Sequence, residues 1–393
     1  SSFIIKLSIA ATALSVAAMI LTLCFVNGFQ TTVSKKVFGF WGHLRVQQIE
    51  NSKSIVATEM PIRTNDTVVQ IIQNQPNIQS VQSFATKPGI IEKNKEIEGI
   101  LLKGVAKNNN TKNIIQPFIV EGRWIQYNDT SYSKEIVVPV PIAQLLQIHV
   151  ADTIKVYFVS TDEDGVKTYR KLVVVGIYKT GIEEFDKLFA LTDLALIQRV
   201  NNWQANEIGG YEIFLNNEQQ LETTNAMLHN QLPTEWMSRT VKEIYPNIFD
   251  WLNIQNVNRD VVFAIMAIVA TINLITCLII LVLERTKMVG ILKSIGLSNW
   301  QIQKIFLYYA GLITTIGITL GCIIGLGICY VQIQTHFITL DESAYYVNYA
   351  PISIIWWQIV VVCLSTAFVC FAALTIPSLV VKNMQPVKSI HFR

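Results

Sequence analysis

The sequence predicts an α+β membrane protein: four transmembrane helices, with a large extracytoplasmic mixed α/β domain inserted between the first and second helices. Three observations carry this. Of 393 residues, 51% are hydrophobic and 15% charged, too apolar for a soluble core of that length. Four stretches, 7–26, 261–283, 305–333 and 354–381, lack charged side chains and reach the about 20 apolar residues that span a hydrocarbon core. Between the first two, the segment 28–258 is long enough to bury one or two cores of its own.

The first segment, 1–27, has Lys6 ahead of an apolar run, as a secretory leader does. That run exceeds a leader's core and no small-x-small cleavage site follows it. Leu21-Thr22-Leu23-Cys24 mimics a lipidation site but has bulky Leu23 before the cysteine, so an uncleaved anchor is expected. In the domain 28–258, the runs 153–159, 172–177 and 211–215 are expected strands. Thr192 is placed to cap a short helix through Arg199, and 218–232 has helical spacing of Leu221, Met227 and Leu228. Polar turns at 107–113 and 127–133 are the expected subdomain boundaries. The sequons at Asn65, Asn109 and Asn128 arise readily by chance in an Asn-rich chain. The remaining segments are the second helix 259–284, a short cytoplasmic helix 285–300, the third helix 301–333, an outer loop 334–353, the fourth helix 354–381 and a tail 382–393.

Basic residues set the orientation. Arg285, Lys287, Lys293 and Lys304 follow the second helix, and Lys382, Lys388 and Arg393 follow the fourth, so both places are expected to be cytoplasmic. The loop 334–353 has Asp341 and Glu342 but no Lys or Arg, and lies outside with the large domain.

Several function classes are excluded. A net charge of +3 without a long basic tract argues against nucleic acid. Cys24, Cys277, Cys322, Cys329, Cys363 and Cys370 all sit in apolar stretches, leaving the domain without a disulfide framework or thiolate site. His43, His149, His229, His336 and His391 are isolated, so no metal site is expected. Gly290-Ile-Leu-Lys293-Ser294 lacks the glycine that a phosphate-binding loop needs directly before its lysine. With no Gly-x-Ser-x-Gly either, no catalytic residue and no enzyme activity are expected. The acidic groups Asp162, Glu163 and Asp164, and Glu183, Glu184 and Asp186, read as solvated turns or helix starts.

The segment Glu284 to Ile302 carries the most local information. As a helix it aligns Met288, Ile291, Leu292 and Ile295 in an apolar stripe, with Arg285, Lys287 and Lys293 polar. Gly296 is placed to end it in a left-handed cap, and Ser298 with Gln301 forms the capping box of the next helix. Such an element is either an interfacial helix on lipid or a knob that docks into a partner.

Glu284-Arg285 followed by Gly290-Ile-Leu-Lys293-Ser-Ile-Gly296-Leu-Ser-Asn resembles the coupling segment of the ABC permease family that contains the lipoprotein-releasing (LolC/LolE-type) subunits, the MacB-type pumps and FtsX. The likeness extends to Asn27-Gly28-Phe29, Glu98 to Val105, Val174 to Gly181 with Phe185-Asp186, Ala270 to Asn273, and Tyr345-Tyr346-Val347-Asn348 with Pro351. It departs at 159–170, where the branch member that recruits a soluble carrier has a proline-bearing hook and this chain has Thr161-Asp-Glu-Asp-Gly165.

The resemblance implies a multi-pass permease subunit in a bacterial inner membrane, with its large domain in the periplasm. It would pair with a second permease, identical or related, and with two copies of an ABC ATPase. ATP and Mg would bind that ATPase, leaving this chain without a cofactor. Glu284, Arg285, Lys287, Met288, Gly290, Ile291, Leu292, Ile295 and Gly296 would couple to the ATPase. Lipoprotein cargo would leave the membrane lipid for a periplasmic lipoprotein carrier. At about 0.8 kcal/mol per methylene, acyl chains hold such cargo by on the order of tens of kcal/mol. Met19, Leu23, Val26, Phe29, Met266 and Asn273 are the expected lining of its path, and Gly317, Gly321 and Gly325 the face for close helix packing. A MacB-type efflux permease for peptides or small toxins, and an FtsX-like mechanotransmitter acting on a cell-wall hydrolase, are the competing expectations.

Overall fold

A computed structural model describes residues 2–49, 60–107, 116–128, 131–158 and 168–373. Contacts divide the chain into a helical unit, Ser1–Thr32 with Asp250–Leu340 and Tyr349–Arg393, and an α/β unit, Val33–Phe249 with Asp341–Asn348. Helices in chain order are α1 (Ser2–Trp41), α2 (Asp66–Gln73), α3 (Val140–Leu145), α4 (Glu183–Asp186), α5 (Leu194–Val200), α6 (Leu221–Gln231) and α7 (Val241–Ile244). They continue with α8 (Pro246–Glu284), α9 (Thr286–Ser294), α10 (Asn299–Thr335), α11 (Glu342–Tyr345) and α12 (Trp356–Ala373).

Among the described residues, three helices are long and apolar enough to cross a membrane, within Ile5–Trp41, Pro246–Glu284 and Trp300–Thr335; Trp356–Ala372 is shorter. The expected fourth stretch continues to 381, but 374–381 and the tail lie outside the described residues. Hydroxyls in these helices turn back on their own backbone: Thr271 donates to the Ala267 carbonyl at 2.7 Å, Thr315 to Gly311 and Thr366 to Val362, both at 2.8 Å. That satisfies them where water is absent.

α1 stops at Trp41 because Gly42 takes φ +72° and returns its N–H to the Phe38 carbonyl at 2.8 Å. The α/β unit follows. Its strands are β1 (Leu44–Gln48), β2 (Ile62–Arg63), β3 (Ile78–Lys93), β4 (Glu96–Val105), β5 (Ile119–Gly122), β6 (Glu135–Pro139), β7 (Thr153–Phe158), β8 (Thr168–Tyr178), β9 (Phe189–Asp193), β10 (Glu207–Ile208), β11 (Gly210–Leu215) and β12 (Trp236–Thr240). Ten form one sheet in the order β12-β1-β11-β3-β4-β9-β6-β8-β5, and β7 bridges β3 and β8. The long β3 pairs with β11 near its start and with β4 and β7 on opposite edges farther on, so β3, β4, β9, β6, β8 and β7 close a ring. β4–β9 and β6–β8 are parallel and the other pairs antiparallel, a mixed α/β arrangement.

Two local expectations are corrected. Thr192 does not cap the helix near 194; its hydroxyl donates to the Glu135 carbonyl at 3.1 Å from within β9. Asp193 caps α5, accepting from Ala195 N at 3.0 Å and from Ser133 N at 2.8 Å. A carboxylate has two oxygens for these two donors. Asp186 is not a solvated acid but is buried. Asn65, the first sequon asparagine, is the N-cap of α2. The boundary turns and the sequon at Asn128 fall partly, and the sequon at Asn109 and the acids 162–164 wholly, outside the described residues, as do 159–167 of the departure.

Candidate functional site

Backbone chemistry builds the short helix α9. Gly296 has φ +99°; its N–H donates to the Lys293 carbonyl and the Leu297 N–H to the Leu292 carbonyl, both at 3.1 Å. This bond pair is the Schellman closure, which a residue with a Cβ enters only under strain. Ser298 then caps α10: Gln301 N donates to Ser298 Oγ at 3.3 Å, and Ser298 N to Gln301 Oε1 at 2.8 Å.

The expected stripe of four apolar residues divides. Val289 and Gly290 are buried, and Met288, Leu292, Leu297 and Ile5 pack on the cluster of Leu281, Val282, Val289, Ile302 and Phe306. Ile291 and Ile295 face outward, 54% and 71% exposed. The buried arc is centred near Val289, roughly 160° round the helix from Ile291 and about 110° from the centre of the expected stripe. Arg285, Lys287 and Glu284 lie exposed beside it, Lys293 is half-buried, and exposed Trp300 carries the Lys304 ammonium 5.6 Å from its ring centre.

Of the residues expected along a cargo path, Met19, Leu23, Val26 and Phe29 are buried, while Met266 and Asn273 are half-buried. Met19 and Leu23 share a cluster with Cys329, Ile359 and Val362, against which Met266 packs. These α1 side chains fill the space between packed helices. Asn273 Nδ2 donates to the Ser8 carbonyl at 3.3 Å. The exposed apolar side chains of α8 instead include Val261, Ile265, Ile268, Val269 and Ile272. Gly317, Gly321 and Gly325 face α1: a Cβ at each would lie 2.9 Å from Thr12 Cβ, 2.7 Å from the Ala13 carbonyl and 3.3 Å from Ala17 Cα.

Asn27-Gly28-Phe29 is used residue by residue. Asn27 Nδ2 donates to Gln358 Oε1 at 2.5 Å, a Cβ on Gly28 would overlap the Pro351 carbonyl, and the buried Phe29 ring lies 5.1 Å from Trp251. The triplet itself was visible in the sequence; its three partners were not.

Sequence reasoning missed the buried charges of the α/β unit. Lys103 donates to Glu212 and to the Phe40 carbonyl and lies 4.1 Å from the Trp41 ring centre; the Arg45 guanidinium lies 3.7 Å from the same ring. Burial pushes the Glu212 carboxyl up, while Lys103 and Arg45 pull it back down. The available signal was a lysine inside the otherwise apolar run of β4. Nearby, Asp186 accepts from Thr180 N at 3.0 Å, Thr180 Oγ1 at 2.8 Å and Gly181 N at 2.9 Å, and burial still raises its carboxyl. Among the described residues no group of histidine, cysteine or acid is arranged to hold a metal.

Comparison with known proteins gives a consistent result. The MacB-like periplasmic core domain family matches residues 7–230, and the FtsX-like permease C-terminal family matches 261–386. The lipoprotein-releasing system transmembrane protein LolE of Haemophilus influenzae is 25% identical, covering 98% of this chain and 93% of that protein. LolC of Neisseria meningitidis serogroup B, of the same releasing system by name, is 22% identical, covering 100% of this chain and 94% of that protein. The chain belongs to the family of permeases with a MacB-like periplasmic core domain and is a LolC/LolE-type member of it.

Proposed function

We propose that the chain is the permease subunit of an ABC transporter complex that extracts lipoproteins from the outer leaflet of a bacterial inner membrane and passes them to a periplasmic carrier. It carries no catalytic group of its own, and a separate ATPase chain, two copies per complex, binds ATP and Mg. α1, α8, α10 and α12 are its four spans, and the apolar sequence of the fourth runs on past Ala373. A second permease chain completes the complex.

The observation that carries this is α9. Its inner face is already satisfied by the helical unit, yet Ile291 and Ile295 project outward beside Arg285 and Lys287. Aliphatic side chains held out from a capped, packed helix are suited to fill a partner's groove and to move with it. The names of the near full-length relatives, LolE and LolC, supply the cargo class. Acyl chains meet the exposed α8 side chains Ile265 and Ile272, not the buried Leu23 and Val26.

Proteoliposomes holding the assembled complex and an acylated lipoprotein test this. ATP should release lipoprotein to a soluble carrier, and photocrosslinkers at Ile265 and Ile272 should capture cargo while one at Leu23 does not. ATP-driven export of a peptide with no lipoprotein release would favour the efflux reading.

A further inference from the structure

The connection between α10 and α12 groups by its contacts with the α/β unit: 341–348 clusters with 33–249. Three separate parts of that unit meet it. Lys179, just past the end of β8, pairs with the Glu342 carboxylate. Lys36, in the last turns of α1, donates to the Tyr346 carbonyl at 2.7 Å and stands 3.9 Å from Glu342 Oε1. Tyr346 Oη donates to Glu184 Oε1 at 3.1 Å from α4.

Gly181 makes room for these contacts. It has φ +77°, and a Cβ there would overlap both the Glu342 carboxylate and the Lys36 ammonium. The buried Asp186 fixes the same turn by accepting the Thr180 and Gly181 N–H groups. Tyr346 itself sits at φ +60°, a conformation unfavourable for a non-glycine residue that persists where surrounding contacts over-determine it. Glu342 and Lys36 are only about one-fifth exposed, so their pairing is screened less than that of surface ions.

We propose that Lys36, Lys179 and Gly181 form a latch for the α10–α12 connection, so that this connection cannot shift without the α/β unit. Opening the latch frees residues 341–348. Because the same segment is covalently continuous with α10 and α12, the latch passes displacement between those helices and the α/β unit. The coupling role rests on the transport reading above; the latch itself does not.

Hydrogen exchange of the full chain in its assembled complex, without cargo, reads the latch directly. Glu342→Gln and Lys179→Met should each raise exchange in 341–348 about fivefold, and the double variant no further, because the two side chains form one contact. Gly181→Ala should raise it at least as much, with exchange in β3 and β4 unchanged, which shows that the fold persists. Unchanged exchange in 341–348, or a rise shared with β3 and β4, overturns the latch. In the same variants, lipoprotein released per ATP hydrolysed should fall; a looser segment with undiminished release overturns the coupling role. If the wild-type complex releases no lipoprotein, the transport reading fails while the exchange result stands.

Discussion

Two short connections join the apolar helices after α8, and they are built on opposite principles. The first, 285–298, is closed by backbone chemistry, the Gly296 closure and the Ser298 capping box, and turns aliphatic side chains outward. The second, 336–355, places its charged and aromatic side chains against the α/β unit through Glu342 and Tyr346. A connection that finds its partners within the chain is part of the chain's own mechanics. One that is capped and left apolar on its outer face is suited to a partner outside the chain.

Substitutions can break this contrast. Val289→Asp should be the most damaging, because it places a carboxylate in a fully buried apolar cluster, at a cost above about 4 kcal/mol. Loss of inserted protein and rapid proteolysis within 285–298 are the expected signs.

On the side of the second connection, the α/β unit that receives it should weaken in acid. Burial lowers the His43 pKa from 6.5 to about 4, and its Nδ1 accepts from Leu215 N at 3.2 Å. The unfolded chain therefore takes up the proton first as pH falls below 6.5, and stability is lost between there and pH 4, by roughly 3 kcal/mol. Exchange of β1 and β11 amides, corrected for intrinsic rates, should follow this slope, and His43→Gln should flatten it.

Ile291→Asp should leave insertion and exchange within α9 unchanged, since the side chain is exposed, yet weaken partner binding by about 2 kcal/mol, the usual scale for a central apolar anchor. Partner retention on purification reads that loss. Equal damage to stability from Ile291→Asp and Val289→Asp would erase the distinction between the two faces.

Much of the first connection was legible in the sequence because its determinants are local. Gly296, Ser298 and Gln301 act within a few residues of one another, and apolar length alone locates α1, α8 and α10. The rotation of α9 was not legible, since Ile5, Ile302 and Phe306 decide which arc turns inward. Burial of Met19 and Leu23 depends likewise on side chains from α10 and α12. The second connection was almost closed to sequence reasoning, as Tyr346 and Glu184 stand 162 residues apart. Asp186 was misread because Glu183-Glu184-Phe185-Asp186 has the pattern of a solvated helix start, while its donors come from the preceding turn.

Gly296→Ala should have the smallest effect, about 1 kcal/mol, from forcing a Cβ into φ +99°. Open space surrounds that position, so strain alone is at work, and a local rise in exchange over 292–298 would measure it.

Photocrosslinking from both connections in the assembled complex addresses the central claim most directly. A crosslinker at Ile291 or Ile295 should capture the separate ATPase chain, while one at Tyr345 should capture only the α/β unit of the same chain. Capture of lipid alone from 291 and 295, with the ATPase present and active, would contradict the account.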